Sequence, residues 1–162
     1  MKFTHPKHFV TFYNTSFIFV FFVTAAALQS CTSERKVYKS DCNDGLSFKH
    51  IGFTQLIDSI EIYDQQFVEV TGTYKESKDE SALVNDSLFV DHSNNHAIWV
   101  NFSQDCPLYL TGTRIGLFEF NNGQFTQIND KTVTMRGKID VVHKGHLGSY
   151  RGSIDRVSFV KL

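Results

Sequence analysis

The stretch "QFVEVTGTY", residues 66–74, alternates without a break. Phe67, Glu69, Thr71 and Thr73 fall on one side, and Val68, Val70, Gly72 and Tyr74 on the other. Successive side chains on a strand point to opposite faces, so strict alternation predicts a half-buried strand. Gly72 stands inside it, and a glycine within a strand marks a bulge or a tight bend at a barrel corner. "KTVTMRGKI", residues 131–139, repeats the form x-V-x-V/M-x-G-x, with Gly137 in the position of Gly72. Two copies are too few for a solenoid. Two coiled strands with internal glycines predict a small closed sheet instead.

Upstream, the period changes. Phe53, Leu56, Ile57 and Ile60 recur at i, i+3, i+4 and i+7, the pattern of an amphipathic helix, with Thr54 placed to cap it. Downstream, "SLFVDHSNNHAIWVNF", residues 87–102, predicts two strands around a turn at Ser93, Asn94 and Asn95. The alternating pattern of residues 131–142 predicts a fourth strand. "RGSIDRVSFVKL", residues 151–162, predicts the last, after the Gly-punctuated "HKGHLGSY". Residues 103–130 hold Pro107, several glycines and Asn122-Gly123. They read either as a second hairpin or as a loop with a short helix.

The fold class is therefore mainly β: five strands with an N-terminal helix. Over about residues 50–162 this order resembles the OB-fold, on the strength of the two V-x-G strands and "GHLGSYRGSI". An SH3-like barrel and a small lipocalin-like sheet are the other architectures this pattern fits. The resemblance implies a ligand face on strands 2 and 3 and their flanking loops. Phe89, Trp99 and Phe102 lie on those candidate strands, and Arg136, Lys138, Lys144, Arg151 and Arg156 lie on or near strands 4 and 5. The ligand-binding candidates are Trp99, Arg136, Lys138, Lys144, Arg151 and Arg156. Against them stands a plainer reading, in which the aromatics fill the core and the cations are solvated strand edge.

The N-terminal end is read separately. "FIFVFFVTAAALQSCTSER", residues 17–35, holds an apolar run from Phe17 to Leu28. That run is short of the roughly 20 residues that a transmembrane helix needs. Lys2 and Lys7 precede it, with no acidic residue before Glu34. A basic start, an apolar run and small residues together describe a secretory signal. Leu28-Gln29-Ser30-Cys31 resembles the lipobox of bacterial lipoproteins, including those of Bacteroidota. The resemblance implies cleavage before Cys31 and acylation of its thiol, hence a membrane-anchored protein of the bacterial envelope facing the periplasm. The division that follows is a lipoprotein signal peptide over 1–30, a lipidated tether over 31–49 and the barrel over 50–162.

Lipidation of Cys31 leaves Cys42 and Cys106. An exported chain permits a disulfide between them, and two buried free thiols are the alternative. From Cys31 onward the chain carries 14 Lys/Arg against 17 Asp/Glu. This is no composition for general nucleic-acid binding, and it counts against nucleic acid as a partner. The charge is uneven: seven Lys/Arg against 15 Asp/Glu over 31–130, and seven against two over 131–162. The pattern predicts a basic face on an acidic domain.

No G-x-S-x-G, H-E-x-x-H, C-x-x-C or G-x-x-x-x-G-K occurs. His92-x3-His96 and His143-x2-His146 have zinc-like spacing, but they fall in two loops expected at different ends of the barrel. The expectation is a non-enzymatic envelope module without metal or cofactor. It binds a protein or glycan partner, or serves as an accessory subunit of an envelope complex.

Overall fold

A computed structural model describes residues 35–162. The signal peptide, Cys31 and the first residues of the tether lie outside the described residues. The strands are β1 (Val37–Lys39), β2 (Lys49–His50), β3 (Phe67–Ser77), β4 (Glu80–Val84), β5 (Ala97–Val100), β6 (Tyr109–Leu110), β7 (Lys131–Asp140) and β8 (Ser153–Lys161). One α-helix, α1 (Phe53–Asp58), precedes β3.

Five strands close on themselves. β3 pairs with β4, β4 with β5, β5 with β8, β8 with β7, and β7 with β3 again. All these pairings are antiparallel except β5–β8, which is parallel. Closure requires strands that bend, and two glycines mark where they do. A Cβ on Gly72 would lie 2.7 Å from the Val84 carbonyl oxygen, and one on Gly137 would lie 2.7 Å from that of Asp155. At Gly137 the β7–β8 register shifts, a bulge that raises local twist.

β3 and β8 are long enough to serve two neighbours along one edge. β3 pairs with β2 at Val68 and Glu69, and with β4 from Thr73 to Ser77. β8 pairs with β5 at Ser153 and Ile154, and with β1 from Phe159 to Lys161. β6 pairs with β1 outside the ring.

The barrel interior holds Val68, Val70, Tyr74, Leu83, Ile98, Val133, Met135, Ile139, Ile154 and Val160, each essentially inaccessible. Burying each such side chain stabilises the fold by about 1.5–3 kcal/mol. α1 sits at one end of the barrel, where Phe53, Leu56, Ile57 and Ile60 are all buried. Gly152 makes room there, since a Cβ on it would lie 2.8 Å from Ile60 Cδ1. The Gln65 amide donates to the Ile139 carbonyl at 2.9 Å beside it. The helix stops at Ser59 and continues as a 3-10 turn, Ile60–Tyr63. Its N-cap is Gly52 rather than Thr54, with no side-chain cap.

Two expectations are corrected. The second barrel strand is Glu80–Val84, and residues 87–92 are not strand. The Leu88 and Phe89 amides both turn back to the Asn85 carbonyl, and Asn85 Oδ1 accepts from the Ser87 amide. Asx turns of this kind override an apolar run. Secondly, residues 36–49 are not tether: β1 and β2 belong to the sheet, and the compact unit starts at Arg35. Tyr38 explains it, being 1% exposed with its hydroxyl 2.7 Å from Thr126 Oγ1. Of the two readings of residues 103–130 the hairpin is the nearer: in a chain of turns around the short β6, antiparallel bridges join Tyr109 to Gly116 and Asn121 to Gln124, the second around Asn122-Gly123, both at positive φ.

Candidate functional site

The turns between β5 and β7 cover the barrel end opposite α1. Phe102 packs edge-on against Tyr74, with centroids 5.9 Å apart. The Asp130 amide donates to the Tyr74 carbonyl at 2.8 Å, and Lys75 Nζ meets Asp130 Oδ1 at 2.7 Å. The salt link raises the Lys75 pKa, while burial, aided by Glu76 and Glu80, pushes the Tyr74 phenol up to about 12. Leu108, Leu117 and Ile128 are buried beneath the turns.

Covalent and polar ties fix this segment. Cys42 and Cys106 form a disulfide. Arg156 holds the same corner: its Nη2 donates to the Cys42 carbonyl at 2.8 Å and its Nε to Asn43 Oδ1 at 3.1 Å. Asn43 Nδ2 returns a bond to the Arg156 carbonyl at 2.8 Å. Further along, the Leu117 amide donates to the Leu108 carbonyl, and the Gly116 amide to Glu119 Oε2, both at 2.9 Å.

What this leaves open is a cleft of about 240 Å³, walled by Phe102, Pro107, Tyr109 and Phe118, with Gln104 and Glu119 at its polar positions. Phe118 packs edge-on against Phe102 at 4.9 Å, yet it is 51% exposed. Phe120 and Phe125 pair at 5.1 Å beyond it and are 64% and 57% exposed. Exposed aromatics gathered on one segment mark an interaction surface more than scattered ones do.

The strand face that the OB resemblance singles out is closed. Ala82, Val84 and Ala97 are buried on it, with Phe89, Trp99 and Tyr150 packed together over them. Trp99 and Tyr150 lie 5.2 Å apart, and burial raises the Tyr150 pKa. Gly145, at φ +63°, lets the β7–β8 loop cross the indole: a Cβ there would lie 2.5 Å from the ring. Trp99 is therefore a packing residue beneath the β7–β8 loop.

The basic candidates do not converge. Arg136 lies over the Phe159 ring at 4.4 Å and the Phe48 ring at 5.5 Å, and its Nε meets Glu69 Oε2 at 2.6 Å. Burial pushes Glu69 up, but Arg136 and then His50 outweigh it, so its pKa is lowered. Arg151 reaches the α1 end instead, with Nη2 3.4 Å from Glu61 Oε1. Arg156 clamps Asn43, as above. Lys138 lies on β7, and Lys144 is exposed in the β7–β8 loop. Three of the five cations, Arg136, Arg151 and Arg156, are thus held in separate local pairings.

The two histidine loops are neighbours rather than at different ends. Asn94 Nδ2 donates to Ser149 Oγ at 2.9 Å. The histidines themselves have other company: His92 packs on Phe89, His96 lies 3.5 Å from Asp91, and His143 lies 3.5 Å from Asp155. Among the described residues no three His, Cys, Asp or Glu side chains gather as a metal group.

No family model, no curated protein and no solved structure matches this chain.

The cleft was not among the sequence candidates: its walls all come from the stretch 102–119, which folds back on itself without a helical or strand period to announce it. One local signal was present. "GLFEFNNGQF", residues 116–125, sets three phenylalanines in a Gly- and Asn-rich stretch with neither helical nor strand period to bury them.

Proposed function

We propose that this chain is a lipid-anchored envelope protein whose OB-like barrel is a non-enzymatic binding module for a segment of a partner protein. The lipobox-like Leu28-Gln29-Ser30-Cys31 supports the anchor. The OB-like reading is supported by the barrel order, in which the third and fifth barrel strands, β5 and β8, pair in parallel. The binding reading rests on the cleft of Phe102, Pro107, Tyr109 and Phe118. Its apolar walls and sparse polar rim have the composition of a protein-interface core rather than of a charged-ligand site.

Site-specific photo-cross-linking in intact cells tests it. A photoreactive residue replacing Tyr109 gives a discrete protein adduct, and Phe118→Ser, made on that background, removes it. The same residue at Val142, exposed in the β7–β8 loop, gives none. Adducts that are equal at both positions, or that survive Phe118→Ser, overturn the assignment. A melting temperature raised by soluble glycans, with no protein adduct, reassigns the cleft to a glycan. Anchoring is tested apart, by whether Cys31→Ala releases the protein from carbonate-washed membranes.

A further inference from the structure

We propose that the exposed Phe120–Phe125 pair, with the cations beside it, lies on the bilayer to which the chain is anchored. The inference rests on the reading of Cys31 as the acylated residue.

The argument begins with reach. β1 starts at Val37, six residues beyond Cys31. Six extended residues span at most about 20 Å. Whatever lies around the start of β1 is therefore held within that distance of the acyl chains.

What lies there is the β5–β7 connection. The Thr111 amide and hydroxyl both donate to the Val37 carbonyl at 2.9 Å. Thr126, next to Phe125, meets the Tyr38 hydroxyl at 2.7 Å. Phe125 in turn pairs with Phe120. The exposed aromatics thus stand at the point where the anchor enters the domain. An aromatic pair left in water over more than half its surface gains by entering the headgroup boundary.

Charge agrees. Arg35 and Lys36 open the described chain, exposed. Lys161 lies opposite Val37 in the β1–β8 register. Arg114 is exposed in the turn that follows Thr111. None of these four takes part in an ion pair among the described residues. Unpaired cations around exposed aromatics favour a surface of anionic lipid. No helix among the described residues is long and apolar enough to cross a membrane.

The test uses the processed protein in vesicles of equal parts phosphatidylcholine and phosphatidylglycerol. Cysteine is introduced at Gln124, between the aromatics, or at Val142, by the α1 end, and labelled with an environment-sensitive fluorophore. Lipids carrying a nitroxide at the headgroup should quench the label at 124 about twofold and the label at 142 little. Phe120→Ser with Phe125→Ser should abolish the difference without lowering the melting temperature. Equal quenching at both positions, or none at 124, overturns the inference. Should Cys31→Ala leave the protein's membrane association in cells unchanged, the anchor reading fails by itself. Vesicles added to the unanchored protein then decide the docking: quenching at 124 alone supports it, and its absence refutes it.

Discussion

Replacing Gly145 with alanine tests how the β7–β8 loop seals the barrel's outer face. Two costs act at that position. Its φ of +63° with ψ of −153° is a region essentially reserved for glycine, which costs another residue about 1–3 kcal/mol. A Cβ there would also stand 2.5 Å from the Trp99 ring, under any real contact distance, and relieving overlap in a packed region costs about 1–3 kcal/mol. Gly148 separates the two. Its φ is +66°, but a Cβ on it meets nothing within 4 Å. Gly148→Ala should therefore show only the cost of a positive φ, about 1–2 kcal/mol, and Gly145→Ala about 2–6 kcal/mol. Urea denaturation gives both numbers from the shift in midpoint at constant slope. Trp99 is the chain's one tryptophan, so its emission reports the loop directly. Gly145→Ala should shift it to the red as water reaches the indole, and Gly148→Ala should leave it unmoved. Equal destabilisation by the two substitutions, with unchanged emission in both, would refute the claim that the loop is seated on Trp99.

Arg136→Gln removes the partner that lowers the Glu69 pKa. Because the folded pKa lies below the ordinary value of 4.5, the pair stabilises the protein above that pH, and the contribution is lost as pH falls through the folded value. Denaturation at pH 7 should find the variant weaker by about 1 kcal/mol, and the gap should narrow below pH 4.5. Cys42→Ala with Cys106→Ala opens a bridge between residues 64 apart; it should cost up to about 4 kcal/mol in the chain-entropy model, measured by thermal melting. Arg156→Ala leaves Asn43, itself 5% exposed, with its Oδ1 unpaired. It should destabilise by about 1–2 kcal/mol, read from the denaturation midpoint, with the barrel's circular dichroism unchanged.

The strands legible in the sequence are those with one face in the barrel and one in water. β3 and β7 alternate because each has an inner row, Val68 and Val70 in one and Val133 and Met135 in the other, against polar outer residues. β4 gave no such signal, since Ala82, Leu83 and Val84 are buried in succession, the first and third by loops rather than by the barrel. β1 was hidden for the opposite reason: it is three residues long and only Tyr38 is fully buried. The site was least legible. The charge excess after residue 130 is real along the chain, but neighbouring strand positions point to different sides of a coiled barrel. Arg136, Arg151 and Arg156 accordingly find separate partners. Phe102 and Phe118 meet only because a disulfide and an extra strand fold the intervening residues back on themselves.

The corner joining Cys42, Cys106 and Arg156 also determines how the domain responds to tension. A pull arriving from the N-terminal side enters at β1, whose three residues are held by β8 on one side and β6 on the other. Those pairings release one at a time, like a peeled edge, and let out at most about 20 Å of slack. The disulfide then takes the load. Beyond that point force divides at Cys42, between the chain through Asn43, which Arg156 ties to β8, and the disulfide to Cys106 in the turns around the cleft. The domain therefore extends only a little before strain reaches the turns that carry the aromatic cleft.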